Sequence, residues 1–205
     1  NGEVKVGDYA FAQIDSARRA QIRVHHTSAH LLQAALIKVL GDEVKQAGSQ
    51  VEDNRMRFDF TFSRAMTPQE VKKTEDIMNK WIGEKLPVNT DVMGIEEAKL
   101  TGATALFGEK YEDVVRVVSI GGKAKCNCGS DCSCDHESGE EKEVISKEFC
   151  AGTHASNTAD LRLVKIVSEG AIAAGTRRIE AVVADAAIDY LNAKSAEIDK
   201  LASRF

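Results

Sequence analysis

Residues 24–40, VHHTSAHLLQAALIKVL, decide how the rest of the chain is read. Leu32, Ala35, Leu36 and Val39 recur at helical spacing. That spacing predicts an α-helix from about His26 to Leu40, with Gly41 as its C-terminal stop. His26 and His30 lie one turn apart on such a helix. Both imidazoles can then reach one point while Leu32, Leu36 and Val39 bury the opposite side. Far downstream, EFCAGTH at residues 148–154 repeats the four-residue step with Cys150 and His154. Three imidazole nitrogens and a thiolate form a donor set that suits zinc, Zn2+. Taken singly, either pair also fits a buried histidine beside a structural thiol. Two such pairs in one chain favour the metal.

The same spacing excludes one chemistry. HTSAH, residues 26–30, has the geometry of the metalloprotease HExxH helix, but Thr27 stands where the general-base glutamate would be. A hydroxyl of very high pKa cannot replace a carboxylate in proton transfer, so the chain is not a protease of that type.

With 205 residues, 43% of them hydrophobic, the chain can bury a sizeable core in one or two domains. No apolar run reaches the roughly 18 residues of a membrane span, and no signal peptide opens it. The net charge of −5 gives no global basic footprint for nucleic acid. Neither a membrane nor DNA is expected as a partner. Small basic clusters at Arg18-Arg19-Arg23, Arg55/Arg57 and Arg177-Arg178 fit either phosphate contacts or surface charge pairs. Five cysteines, four of them in one loop, do not form a secreted disulfide framework, and a cytoplasmic location is expected. The chain starts at Asn1 without a methionine and stops at Phe205 inside a helical pattern, which reads as a piece of something longer.

Before the helix, Val4–Val6 and Tyr9–Ile14 read as short β-like stretches. After it, Val44–Val51 and Arg55–Phe62 read as a hairpin. In the second strand Met56, Phe58, Phe60 and Phe62 alternate with polar residues, which predicts an aromatic inner face. Thr67-Pro68-Gln69-Glu70 is a capping box opening a helix to about Lys85, with Val71, Ile77, Met78, Trp81 and Ile82 inward. Leu86–Met93 reads as a strand, Gly94–Leu100 as a short helix, and Val114–Ile120, Leu161–Val167 and Arg178–Val183 as further strands. Ala184–Phe205 reads as a docked or linker helix with a weak seam. The fold class is α+β: helices packed on a largely antiparallel sheet, with a C-terminal linker helix. Residues 123–147 interrupt this rhythm as a polar, acidic insertion. It holds Cys126, Cys128, Cys132 and Cys134, with His136 beyond. A mobile surface loop and a second thiolate metal site are both open readings of it.

On HHTSAHLLQAAL, VKQAGSQV followed by RMRFDF, ALFGEKYEDVVRVVSIG, CAGTH and GAIAAGTRRIEAV, the chain resembles the editing domain of alanyl-tRNA synthetases. It resembles the editing domain of threonyl-tRNA synthetases more distantly. The resemblance implies zinc-dependent hydrolysis of the ester that links a wrong amino acid, serine or glycine, to tRNA(Ala). It also implies His26, His30, Cys150 and His154 as metal ligands and Gln46 as a polar residue of the amino-acid pocket. Ala29 stands where a hydroxyl residue is usual, which leaves Thr27, Ser28 and Gln46 as candidate readers of the serine hydroxyl. Ala151 replaces a usual glycine.

By the same resemblance, residues 1–24 would end a preceding β-barrel domain. Residues 25–183 would be the editing domain, and 184–205 would begin the helix to a C-terminal region. Other domains of the parent synthetase become partners, and aminoacylation and ATP binding belong to the full-length protein. A tRNA-binding module with a purely structural zinc is the alternative class, since four protein ligands complete a tetrahedron.

Overall fold

The computed structural model describes residues 3, 5–105, 111–125 and 137–204. Cys126, Cys128, Cys132, Cys134 and His136 lie outside them, and so does Val4. In chain order the elements are α1 (Ser16–Leu40), β1 (Gln46–Val51), β2 (Met56–Thr61), α2 (Pro68–Gly83), β3 (Val88–Gly94), α3 (Ile95–Leu100), β4 (Val114–Lys125) and β5 (Glu137–Phe149). A 3-10 turn at Thr158–Leu161 leads to β6 (Val164–Ala173), β7 (Thr176–Val183) and α4 (Asp185–Ala202). The class is α+β, and its strands divide into two antiparallel sheets. One has the order β1-β2-β7-β6 and the other β3-β4-β5.

α1 is the centre of the molecule, touching α2, β1, β2, β5 and β7. It begins at Ser16, ten residues before the expected start at His26. Asp15 is the reason: its carboxylate accepts from Arg18 N at 2.9 Å and caps the first turn. The β-like stretch Tyr9–Ile14 forms no strand, and Tyr9, Phe11 and Ile14 are exposed. The helix is also buried more widely than one apolar stripe implies. From Thr27 to Gln33 every residue is buried, with Leu31 and Leu32 inaccessible to solvent. Polar side chains in this segment must therefore find partners inside the protein.

β1 and β2 pair as the expected hairpin, and β2 buries Met56, Phe58 and Phe60 while its alternate residues face outward. On the outer face Asp59 pairs with Arg178 and Arg57 with Glu180. Arg18, Arg55 and Arg177 also pair with carboxylates, so most of the basic clusters are charge pairs. α2 carries the complete capping box of Thr67 and Glu70. Its Asn79 side chain bonds both Val164 N and Val164 O, which docks the helix on β6. Val71 and Ile77 are only partly buried, and Thr74 takes a place in the buried face.

The expected insertion continues the sheet at both ends, since β4 runs to Lys125 and β5 starts at Glu137. The register shifts at Gly121, whose φ of +99° and contact with Glu143 leave no room for a side chain. α4 buries Ala187 and leaves Ile198 and Leu201 more than half exposed.

Phe58 is 1% exposed on β2, an inner strand of its sheet. Phe58→Ala is expected to lower stability by about 3–5 kcal/mol through the cavity it leaves. Urea unfolding measures this, and a loss below about 1 kcal/mol would show that the core is not anchored on β2.

Candidate metal centre

α1 brings His26 and His30 to one side of a seam, and the turn after β5 brings Cys150 and His154 to the other. The four donor atoms lie within 4.8 Å of one another. Cys150 Sγ is 3.5 Å from His26 Nε2 and 3.3 Å from His154 Nε2. With Zn–S of about 2.3 Å and Zn–N of about 2.0 Å, the sulfur-to-nitrogen edge of a tetrahedral site is about 3.5 Å. Donor type and spacing both fit zinc. His25, next in sequence to His26, is rotated out of the cluster by the helical step. It is buried and bonds Gln21 O through Nδ1 at 2.9 Å.

The ligand rings are fixed from behind. Thr27 Oγ1 donates its one hydrogen to Arg23 O at 2.9 Å and accepts from Ala155 N at 3.0 Å. Its 3.3 Å contact with His154 Nδ1 must then take a proton from the ring, which leaves the Nε2 lone pair facing the cluster. His30 Nδ1 stands 3.0 Å from Glu148 Oε2, an ion-pair contact outside hydrogen-bond geometry. The other carboxylate oxygen of Glu148 accepts from Ser146 Oγ at 2.7 Å. Gly152 lies flat against His26: a Cβ there would be 2.0 Å from Cε1 and 2.4 Å from Nδ1. The turn itself is held by Arg116 Nη1, which donates to Ala151 O and Gly152 O. Arg23 Nε adds a bond to His154 O.

Burial opposes charge on His30, but Cys150 and Glu148 outweigh it and raise its pKa to about 10. Burial also opposes the Cys150 thiolate, and hydrogen bonds from His154, His26 and His30 overcome this, lowering its pKa to about 3. Burial keeps His154 below the usual histidine range. In the metal-free protein the thiolate is thus already formed, and His30 holds a proton.

The cluster opens onto a cavity of about 630 Å³ whose wall includes His26, His30, Cys150, Gln46, Arg116 and Tyr111. Ala29 also lines it, at the position where a hydroxyl was expected. Gln46 is half-buried and donates through Nε2 to Ser49 Oγ at 3.2 Å. A bulge between Gln46 and Gly48 brings both side chains onto this wall despite their odd spacing. Thr27 and Ser28 are not part of the wall. Thr27 is committed behind His154, and Ser28 Oγ donates to His25 O at 2.7 Å beside Met56. Ser49, Arg116 and Glu148 are members of the site that the sequence reading missed. For Glu148 a signal existed: it lies on β5 two residues before Cys150, which follows the strand directly.

Metal uptake needs a thiolate and neutral imidazoles. The thiolate is present at neutral pH, so the proton on His30 is the one zinc has to displace. Zinc affinity is expected to rise with pH by about one decade per unit between about pH 7 and pH 9, releasing about one proton per ion. Proton release in weakly buffered solution measures this, and a flat profile contradicts the ligand set. Gly152→Ala is expected to displace the His26 ring and weaken zinc by about tenfold or more. Competition with a chromophoric chelator checks it.

Residues 115–180 match the family described as the threonyl and alanyl tRNA synthetase second additional domain. Over 204 residues the chain is 45% identical to an alanine–tRNA ligase of Synechococcus sp. (strain JA-3-3Ab) and 44% identical to one of Synechococcus sp. (strain RCC307). It is 42% identical to one of Acaryochloris marina (strain MBIC 11017). Each match takes in 100% of this chain and 21% of the relative, so the chain spans about a fifth of the length of the ligases it matches. With its HTSAH helix and CAGTH turn meeting in one donor cluster inside that match, the chain belongs to the alanyl-tRNA synthetase family.

Proposed function

We propose that the chain edits tRNA(Ala), hydrolysing the ester of wrongly attached serine or glycine as part of an alanine–tRNA ligase in the cytoplasm. The observation that carries this reading is the opening of three ligands, His26, His30 and Cys150, onto the 630 Å³ cavity. A metal buried for structure alone needs no such access. His26, His30, Cys150 and His154 hold the ion, and zinc bound there supplies a Lewis acid beside the ester. Thr27 orients His154, and Arg116 holds the turn that carries two of the ligands.

A synthesis pocket for alanine cannot strongly reject an amino acid that merely adds a hydroxyl. A second pocket that hydrogen-bonds the hydroxyl can make that distinction, because alanine leaves its polar groups unpaired. Gln46 is the reader in this scheme. Its Nε2 is engaged by Ser49, which leaves its carbonyl oxygen as acceptor for the substrate hydroxyl. Ser28 faces the core and has no role in the scheme.

The partners are mischarged tRNA(Ala) and the other domains of the parent synthetase. Residues 1–24 serve as the end of the preceding domain, with α1 running from Ser16 across that boundary into the editing domain at 25–183, and 184–205 serve as the linker. The exposed Ile198 and Leu201 of α4 fit contacts beyond this region. One observation favours a second reading, a structural zinc in a tRNA-binding module: four protein donors already complete a tetrahedron.

Hydrolysis of Ser-tRNA(Ala) with Ala-tRNA(Ala) as control decides between them, and cleavage of neither sinks the editing reading. Losing a buried partner costs about 1–3 kcal/mol, so Gln46→Ala is expected to slow Ser-tRNA(Ala) hydrolysis by about 5- to 150-fold. Gly-tRNA(Ala), which has no hydroxyl, should be affected much less. Equal losses on both substrates would mean that Gln46 supports the wall without reading serine.

A further inference from the structure

Ser146, Glu148 and Cys150 alternate along the end of β5 and so share one face, turned toward α1. On α1 the matching row is His26, His30 and Gln33, at helical steps. The rows meet in register. Cys150 lies against His26, and Glu148 lies against His30 at 3.0 Å. Ser146 Oγ donates to the remaining Glu148 oxygen at 2.7 Å. Glu148 is 8% exposed, and among the described residues its ion-pair partner is His30. A buried carboxylate is costly unless it is paired, and the His30 ring and the Ser146 hydroxyl are the groups that offset its burial.

We propose that Glu148 is a positioning residue for the metal: with an ion in the cluster, its 3.0 Å contact with His30 Nδ1, off hydrogen-bond angle without one, holds the ring proton there, aims Nε2 at the ion and strengthens that nitrogen as a donor. The proposal rests on the metal reading of the centre and not on the identity of the substrate. A carboxylate accepting the outer N–H of a metal-bound imidazole fixes the tautomer and raises the basicity of the ring. It also balances charge. A divalent ion with one thiolate and three neutral imidazoles carries +1, and Glu148 brings the buried group to zero.

His154 is treated differently, since its outer nitrogen meets the neutral hydroxyl of Thr27. The two histidines therefore differ in donor strength, with His30 the stronger. Glu148 borders the metal cavity and also a second cavity of about 330 Å³ that Gln33 and Ser146 line. A shorter side chain there leaves space that water can enter, so the fold is expected to tolerate the change.

The test measures zinc dissociation constants of the parent, Glu148→Gln and Glu148→Ala by chelator competition. It adds the metal-free thermal midpoint of each and the 15N shifts of His30 in the zinc-loaded proteins. Glu148→Ala is expected to weaken zinc by about 10- to 100-fold. Glu148→Gln, whose amide oxygen can still accept, is expected to lose less than about tenfold. In the parent the His30 signals should be those of a ring protonated on Nδ1 and metal-bound through Nε2, and in the alanine variant they should shift and broaden.

Zinc binding of Glu148→Ala within about twofold of the parent overturns the proposal. So does equal weakening in both variants that tracks an equal fall in their metal-free midpoints, which would mark a general structural role. A parent chain that takes up no zinc overturns it together with the metal centre. A parent that binds zinc but leaves Ser-tRNA(Ala) intact sinks editing alone, since the metal measurements need no tRNA.

Discussion

Everything at the centre depends on the seam where α1 lies against the end of β5. Side chains on the helix recur every fourth residue along one stripe, and those on the strand every second residue along one face. Their rises make these steps comparable in length, so two rows of polar groups can face each other for more than one contact. His26 meets Cys150, and His30 meets Glu148. The chain then turns after Cys150 and adds His154 from the third side. A helix docked one residue out of phase would turn both histidines away from the turn.

That seam lies between two sheets, which is why α1 is buried nearly all round between Thr27 and Gln33. Such burial is costly for a segment containing threonine, serine, histidine and glutamine unless each finds a partner. Thr27 and Ser28 do so by returning their hydroxyls to backbone carbonyls one turn earlier. The Thr27 bond also shapes the donor cluster. Because its single hydrogen is already spent on Arg23 O, Thr27 imposes a tautomer on His154. Packing and ligand chemistry are thus settled by the same side chain.

What the sequence made legible follows from periodicity. The four donors were visible because both pairs share a regular step, and β2 was visible because its aromatic residues alternate. The capping box was visible because its residues are local. The start of α1 was hidden because Tyr9, Phe11 and Ile14 look like strand residues, and the Asp15 cap was overlooked. Arg116 joins the site through contacts with a turn 35 and 36 positions away, which no local pattern reports, whereas Glu148 stands two residues before Cys150 and could have been found. Gln46 and Ser49 share a wall only because of a bulge. Thr27 and Ser28 looked available for a ligand since sequence shows hydroxyls but not where they point.

The distance along the chain between ligands has a thermodynamic meaning of its own. His26 and Cys150 are separated by 124 positions, so an ion holding both closes most of the polypeptide into a loop. The entropy that a cross-link removes from the unfolded ensemble grows with the logarithm of the loop it closes, which makes this a long and effective clip. An ion held by the folded chain also shifts the folding equilibrium by mass action. An ion held by these four donors would make the heat resistance of the chain a function of the free metal around it, and its withdrawal would loosen the fold along with the site.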